Sequence, residues 1–393
     1  MKHTFSQVID RRGTNSLKWD VANGELPMWV ADMDFPTSPA ITEAIQRKAA
    51  SGVFGYGVVP PAYRQAIGQW WSRRYHWSIE EAWVLFCDGV IPALSSLIRH
   101  LTQPGDKVLI QPPVYNNFAG CIINTGRRIS GNSLIYENGI YRVDWEDLDR
   151  RLSDPQVTLM ILCNPHNPVG RAWDQETLQR IGELCWQHHV VVIADEIHCD
   201  LTDPGCAYVP FASLSEHCAQ NCVVTITPTK TFNLAGLQTA SVVVPNPHLR
   251  EKVKWGLETD KIDEPNSFAV EAAIAAYTQG EPWLEELRQY IWENKNVAND
   301  LLRDKLPEIA IVPSQATYLL WLDCSSITGK SKELAWYLRR ETGLYLLPGS
   351  IYGGNGDHFL RMNIACPRSV LEDGLDRLFR GVTAYRSWSE ATR

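Results

Sequence analysis

The strongest constraint on the fold is a set of five short runs in which the residues on both alternating faces are apolar. They span 107–111, 158–162, 190–194, 222–226 and 240–244. A strand with two apolar faces must be covered on both sides, which is typical of a parallel sheet between layers of helices. Between the second and third runs, Asp174 can cap a helix whose apolar residues recur at helical spacing from Leu178 to Cys185. The pattern predicts an α/β fold built from strand–helix–strand units.

The chain divides into two regions with different patterns. At 393 residues it is too long for one small domain. We expect 46–284, where strands and helices alternate, to form a large α/β domain. A long amphipathic helix follows, and then two strand–helix pairs with strands at 318–322 and 358–364. The first 45 residues are rich in turn formers, so we expect them to pack on the C-terminal region or on a partner subunit. Residues 1–45 and 285–393 are the predicted smaller α+β domain.

Composition excludes several classes of function. The 37 Lys and Arg residues against 45 Asp and Glu residues give a net charge of −8, and no basic stripe suits a nucleic acid. The ten cysteines are scattered singly, so we expect neither a metal site nor a disulfide framework. No apolar run is long enough to span a bilayer, and the N-terminus lacks the apolar stretch of a signal peptide. We expect a soluble, cytoplasmic protein without membrane or nucleic-acid partners.

Polar residues follow three of the predicted strands at the points where those strands end. They are Asn164 and Asn167 after the second run, Asp195 and His198 after the third, and Thr227, Thr229 and Lys230 after the fourth. One such pair alone is typical of a turn or a helix cap. Ligands of open α/β sheets bind outside the carboxyl ends of the strands. Three polar strand ends therefore predict a ligand site.

The same residues supply the groups that pyridoxal phosphate needs. That cofactor takes a lysine for a Schiff base, a carboxylate for its pyridine nitrogen, donors for its ring hydroxyl and a cradle for its phosphate. Lys230 and Asp195 suit the first two roles. Asn167 and His198 suit the ring hydroxyl, and Tyr115 can lie face-on against the ring. For the phosphate, the candidates are Thr227, Thr229 and the backbone N–H groups of Gly89, Val90 and Ile91 at a predicted helix start.

Further motifs lie at 10–20, 31–35, 54–56 and 229–233. With the set above, they make the whole chain resemble the fold type I pyridoxal-phosphate enzymes, specifically the MalY/PatB family of cystathionine β-lyase-like carbon–sulfur lyases. The resemblance implies a large domain with a mostly parallel seven-stranded sheet, beside a smaller α+β domain. It makes Lys230 the Schiff-base lysine, Asp195 the pyridinium partner, Asn167 and His198 the ring-hydroxyl contacts, and Tyr115 the stacking residue.

The resemblance also implies contacts to the substrate and to a second subunit. Arg361 would hold the substrate α-carboxylate with the two-bond geometry of a guanidinium, with Asn167 and Tyr56 beside it. Tyr56 would reach the phosphate of the neighbouring subunit, which implies a homodimer with shared active sites. Two departures from the broader aminotransferase pattern are Gln238, where many members carry arginine, and His198, where tyrosine is frequent. No motif marks a second carboxylate pocket.

The predicted reaction is α,β-elimination from L-cystathionine or a related S-substituted L-cysteine, giving a thiol (homocysteine or hydrogen sulfide), pyruvate and ammonia. Lys230 would remove the Cα proton, and Tyr115 or a water would protonate the departing sulfur. The alternatives are an aminotransferase, or a lyase with an added regulatory protein-binding role.

Several of these residues also have interpretations without function. One alternative is that Arg361 forms a surface ion pair. Another is that Tyr115 and Tyr56 are packed aromatic residues. Asp32 and Asp34 are more typical of turns or caps. Trp29 is the tryptophan we expect at the substrate entrance.

Overall fold

The computed structural model describes residues 5–391, and the bounds below refer to that part of the chain. The strands are β1 Leu26–Pro27, β2 Val84–Cys87, β3 Lys107–Ile110, β4 Arg128–Gly131, β5 Ile135–Glu137, β6 Ile140–Arg142, β7 Val157–Cys163, β8 Val191–Asp195, β9 Cys222–Ile226, β10 Ala240–Val243, β11 Ala310–Ile311, β12 Leu319–Asp323, β13 Leu344–Tyr345, β14 Leu347–Pro348 and β15 Phe359–Asn363. The helices are α1 Pro39–Ala50, α2 Pro61–Tyr75, α3 Val90–Leu101, α4 Asn117–Asn124, α5 Trp145–Leu152, α6 Gln175–Gln187, α7 Glu216–Gln220, α8 Pro228–Thr231, α9 Pro247–Thr259, α10 Ala269–Gln279, α11 Glu281–Lys305, α12 Ser331–Thr342 and α13 Arg368–Ala391.

A seven-stranded sheet forms the centre of the large lobe, in the order β2-β10-β9-β8-β7-β3-β4. Only β10 runs antiparallel to its neighbours within this sheet. The five predicted runs became β3, β7, β8, β9 and β10, which confirms the α/β prediction. The two strands that the pattern missed, β2 and β4, are the short edge strands, and Arg128 and Ile129 of β4 are exposed.

Successive residues of the central strands belong to different hydrophobic clusters. In β7, Met160 and Leu162 pack in one cluster, whereas Leu159 and Ile161 pack in the other. The first cluster includes residues of α6 and α10, and the second includes residues of α3, α4 and α9. Helices therefore cover both faces of the sheet, which is why these strands are apolar on both alternations. Asp174 caps α6 as expected, because its carboxylate accepts from the Thr177 N–H.

The small lobe is built on the four-stranded antiparallel sheet β11-β12-β15-β14. The C-terminal helices α12 and α13 pack together beside it, and Gly343 ends α12 with a left-handed conformation. The N-terminal segment joins this lobe through β1, which pairs in parallel with β13. The predicted domain limits at 45/46 and 284/285 fall inside α1 and α11, and the domain assignment stays a prediction. Within residues 5–391, no helix has the length and apolarity needed to cross a membrane.

The two lobes interlock beside the carboxyl ends of β7 and β8. The backbone N–H groups of Gln315 and Ala316 both donate to the Gly170 carbonyl, and the Thr317 N–H donates to the Leu201 carbonyl. Gly170 has a φ of +72°, and a Cβ there would lie 2.4 Å from the Cβ of Ser314. Only glycine therefore allows the small-lobe segment 314–316, between β11 and β12, to come this close to the loop after β7.

Candidate active site

A cavity of about 270 Å³ opens at the carboxyl ends of β7, β8 and β9, beside the start of α3. This is where an open α/β sheet binds its ligands. The volume suits a small organic molecule rather than one or two waters. Ten of the predicted site residues line this cavity, namely Gly89, Val90, Ile91, Tyr115, Asn167, Asp195, His198, Thr227, Thr229 and Lys230. The structure thus brings together residues from five separate segments, while their individual roles stay predictions.

Lys230 projects from the short helix α8, and its amine lies in the cavity. The Thr227 hydroxyl caps α8 by accepting from the Thr229 N–H at 3.0 Å, and lies 2.7 Å from the Thr239 carbonyl. The Lys230 Nζ donates to the Ala31 carbonyl at 2.8 Å. Burial, followed by the positive charge of Arg361, lowers the pKa of Lys230 to about 8. A large fraction of this amine is therefore neutral near pH 8 and able to act as a base.

Asp195 is the last residue of β8 and is buried against β9. Its Oδ1 accepts from the Thr225 hydroxyl at 3.0 Å, and Thr225 is its register partner on β9. Burial raises the pKa of Asp195 to about 6, although the Thr225 hydrogen bond opposes the rise. A cationic partner placed in the cavity beside Asp195 would stabilise this carboxylate.

His198 lies buried nearby, and its ring nitrogen Nδ1 has no hydrogen-bond partner among the described residues. Burial lowers the pKa of His198 to about 3, and the Lys230 and Arg361 cations contribute to this lowering. The imidazole is neutral at physiological pH and can donate or accept one more hydrogen bond.

Arg361 reaches the site from β15 of the small lobe and is 3% exposed. Its Nη1 donates to Asn167 Oδ1 at 3.2 Å, and its Nη2 donates to the Trp29 carbonyl at 2.8 Å. Within residues 5–391, its Nε has no hydrogen-bond partner and the guanidinium forms no ion pair with a carboxylate. The interpretation as a surface ion pair is therefore wrong. A buried guanidinium without a carboxylate is poised to receive an anion.

Of the three aromatic residues that we expected near the site, only Tyr115 lines the cavity. Tyr115 lines the cavity, accepts from Asn117 Nδ2 at 2.8 Å, and has its pKa raised by burial. Tyr56 is fully exposed on the loop before α2 and lies outside the cavity of its own chain. The Trp29 ring stacks on Tyr345, with centroids 4.9 Å apart, and does not line the cavity. The backbone carbonyl of Trp29, rather than its ring, contacts the site through Arg361.

The segment around Ala31 is a part of the site that the sequence did not reveal. Asp34 pairs with Arg11 and Lys18 at 2.7 Å each, and Asp32 pairs with Arg11 at 2.8 Å, so both carboxylates hold this segment in place. Their interpretation as structural groups agrees with these contacts. The motif 31–35 was the available signal, but the functional group is the Ala31 backbone carbonyl, which carries no sequence signature.

Gln238 and Thr239 also line the cavity, and Gln238 adopts a left-handed φ of +49°. Asp88, next to Gly89, lines it as well, and burial raises its pKa. No group of three or more His, Cys, Asp or Glu residues in the described chain could hold a metal ion.

Comparisons with known proteins agree with this geometry. The family model "Aminotransferase class I and II" matches residues 26–378. The chain is 42% identical to the cystathionine beta-lyase PatB of Bacillus subtilis over 95% of this chain and 98% of that protein. It is 32% identical to the protein MalY of Escherichia coli over 97% and 99% of the two chains.

Among solved structures, cystalysin from Treponema denticola, which contains a pyridoxal 5'-phosphate cofactor, matches with a TM-score of 0.95. The two chains are 30% identical, and the match covers 98% of this chain and 100% of cystalysin. The fold is thus that of a known group of enzymes. The chain belongs to the class I and II aminotransferase family, within the group that includes PatB and MalY.

Proposed function

We propose that the protein is a pyridoxal-phosphate-dependent carbon–sulfur β-lyase. Its substrates are L-cystathionine or related S-substituted L-cysteines together with one water, and its products are a thiol, pyruvate and ammonia. The observation that carries the proposal is that two basic side chains lie in one site. They are the Arg361 guanidinium, which no carboxylate of the described chain neutralises, and the Lys230 amine. An amino acid carries the carboxylate that Arg361 lacks. The relatives named above support the type of reaction.

The residues that line the cavity fit pyridoxal phosphate. Among them, Asp195 offers a buried carboxylate to the pyridine nitrogen. The Nδ1 atom of His198, with Asn167 beside it, is available for the ring hydroxyl. Helix α3, which also borders the cavity, begins at Val90 without a side-chain cap, so its first N–H groups are free for an anion.

The remaining cofactor contacts follow from the same positions. Gly89, Val90 and Ile91 would hold the phosphate together with Thr229, while the Thr227 hydroxyl is already engaged in capping α8. Tyr115 would lie against the ring, and Lys230 would bond to the cofactor. When bound, pyridoxal phosphate accepts the electron pair left at Cα after loss of the Cα proton.

The protein itself supplies binding, orientation and proton transfer. Arg361 exchanges the Trp29 carbonyl for the substrate carboxylate and so fixes the orientation of Cα. The Lys230 amine then removes the Cα proton, since its lowered pKa keeps much of it neutral near pH 8. Asp195 would hold the pyridine nitrogen of the cofactor in its protonated form and would itself remain ionised beside it. Either Tyr115 or a water supplies the proton to the departing sulfur.

The assay for the lyase is incubation of the cofactor-loaded protein with L-cystathionine, with pyruvate and free thiol followed together. We expect equal amounts of both, and none from Lys230→Ala. Neither product, with a keto acid formed only when an amino acceptor is supplied, would establish an aminotransferase, the alternative that the family model also allows.

The exposed loop before α2 supports a homodimer with shared sites. Val53, Phe54 and Val58 are 70%, 56% and 80% exposed, and Tyr56 between them is fully exposed. Such a contiguous apolar surface is typical of an interface. Tyr56 would reach the cofactor phosphate of the second subunit, and the assembly would act in the cytoplasm.

A subunit-mixing experiment tests this arrangement. Tyr56→Phe and Lys230→Ala, each impaired alone, should regain about a quarter of the parent activity when equal amounts are mixed, because half of the dimers then contain one intact site of two. No recovery in mixed dimers would refute the shared site.

A further inference from the structure

The Ala31 carbonyl, at the edge of the cavity, accepts two hydrogen bonds from side chains. Lys230 Nζ donates to it at 2.8 Å, and the Tyr318 hydroxyl donates to it at 3.0 Å. A carbonyl oxygen has two lone pairs, so these two donors fill its capacity. The position of this oxygen is fixed independently, since Asn363 Nδ2 binds the carbonyls on either side, those of Val30 and Asp32.

Tyr318 is held in one orientation by the structure around it. It is 1% exposed and stands directly before β12. The preceding residue, Thr317, has a φ of +70°, a conformation that β-branched residues rarely adopt. The Thr317 N–H is bound to the Leu201 carbonyl, so this backbone is anchored to the large lobe. Burial of the ring, on a backbone anchored in this way, keeps the Tyr318 hydroxyl at the Ala31 carbonyl.

We propose that Tyr318 is a positioning residue for Lys230: its hydroxyl fixes and partly saturates the Ala31 carbonyl, which receives the Lys230 amine whenever that amine is not bonded to the cofactor. The proposal rests on the role of Lys230 as the base in the proposed function. A carbonyl shared with a second donor binds an ammonium less strongly than an unshared one. The hydroxyl thus favours the neutral amine, the form that removes the Cα proton.

Other charged and titratable groups near the Lys230 amine also affect its pKa. The charged and titratable side chains that face Lys230 and Tyr318 are Asp32, Tyr115, Asp195, His198 and Arg361. Removal of the Tyr318 hydroxyl leaves all five in place. A change in the titration of Lys230 would therefore report on the shared carbonyl.

The test compares Tyr318→Phe with the matched control Tyr136→Phe. Both variants remove one hydroxyl from an aromatic ring, but the Tyr136 hydroxyl binds Asp323 outside the cavity. In full-length protein freed of cofactor, acylation of Lys230 by acetic anhydride is followed against pH by mass spectrometry of the peptide that contains it. The midpoint should move upward by about half to one pH unit in Tyr318→Phe, the size expected for one hydrogen bond. Tyr136→Phe should match the parent.

A second readout uses the cofactor-loaded protein and does not require elimination. Exchange of the Cα hydrogen of L-alanine in deuterium oxide, followed by NMR, needs the base but no leaving group. In Tyr318→Phe it should fall about 3- to 10-fold below pH 8 and recover above about pH 9.5.

The outcomes separate the possible failures. An equal loss at every pH, or a midpoint that stays or moves downward, would overturn the positioning role. Normal exchange in the parent without any lyase activity would instead count against the proposed reaction and leave the role of Tyr318 intact.

Discussion

Replacement of Arg361 tests the substrate-binding role most directly. Two of its nitrogens now donate to neutral acceptors, Asn167 Oδ1 and the Trp29 carbonyl. A hydrogen bond to a charged group contributes about 1.5–3 kcal/mol. Arg361→Lys keeps the charge but loses one of two such bonds to the substrate carboxylate, so kcat/KM should fall about 10- to 150-fold. Arg361→Met loses both, and the expected loss is about 10²- to 10⁴-fold.

The effect of Arg361→Met on stability should be small, because two contributions oppose each other. The variant removes a buried cation that pairs with no carboxylate of the described chain, which relieves the cost of its desolvation. It also leaves Asn167 Oδ1 and the Trp29 carbonyl without these donors, at a cost of about 1–3 kcal/mol each. We expect Tm to change by less than about 4 °C.

The assay measures pyruvate release for kcat/KM and, for each variant, the affinity of two competitive inhibitors, an amino acid and the matching amine without a carboxylate. Only the amino acid should bind more weakly to the variants, because the comparison isolates the contact between the guanidinium and the carboxylate. Equal losses for both inhibitors, or a fall in Tm beyond about 10 °C, would refute this reasoning.

Three further predictions concern other parts of the structure. Asp195→Asn should keep bound cofactor, visible by absorbance, but lower the rate of Cα exchange at least about 100-fold; a normal rate would remove Asp195 from its role. Gly170→Ala should lower the free energy of unfolding by more than about 2 kcal/mol in urea titrations, since the new methyl group clashes and the positive φ is strained. Burial raises the pKa of Glu196 from 4.5 to about 8, so the folded state binds more protons between these values and stability should decline as pH rises through that window. Glu196→Gln should flatten this decline in urea midpoints measured from about pH 5 to 8, and an unchanged slope would contradict the assignment.

Much of the large lobe could be predicted because burial on two sides leaves a strong pattern. The runs that became β7, β8 and β9 are apolar on both faces since helices cover both. Because polar side chains follow directly where these runs end, the pattern alone placed Asn167, Asp195 and Lys230 at one edge of the sheet. The edge strand β4 escaped prediction because half of its four residues are exposed, and β2 escaped because four residues alone, although mostly buried, carry little pattern.

The parts of the site that could not be predicted depend on long-range contacts of the backbone. Ala31 contributes a carbonyl oxygen, which every residue type possesses, and its partners Lys230 and Tyr318 stand 199 and 287 positions away. Tyr318 itself sits in an apolar stretch that predicted only a strand. The resemblance identified the motif around Ala31, but the contact that gives this motif a use in the site is visible only in three dimensions.

The carbonyls of Trp29 and Ala31 act as placeholders for ligands. Each keeps a cationic side chain hydrogen-bonded until a better acceptor or a covalent partner arrives. A ligand therefore gains only the difference between its own group and the placeholder. A carboxylate outcompetes the peptide oxygen of Trp29 because it is charged, whereas the carbonyl of an amino-acid amide or ester is nearly the same acceptor and gains almost nothing. The site thus discriminates between free amino acids and their neutral derivatives because only a carboxylate displaces the Trp29 carbonyl from Arg361. No group that repels the neutral derivatives is needed.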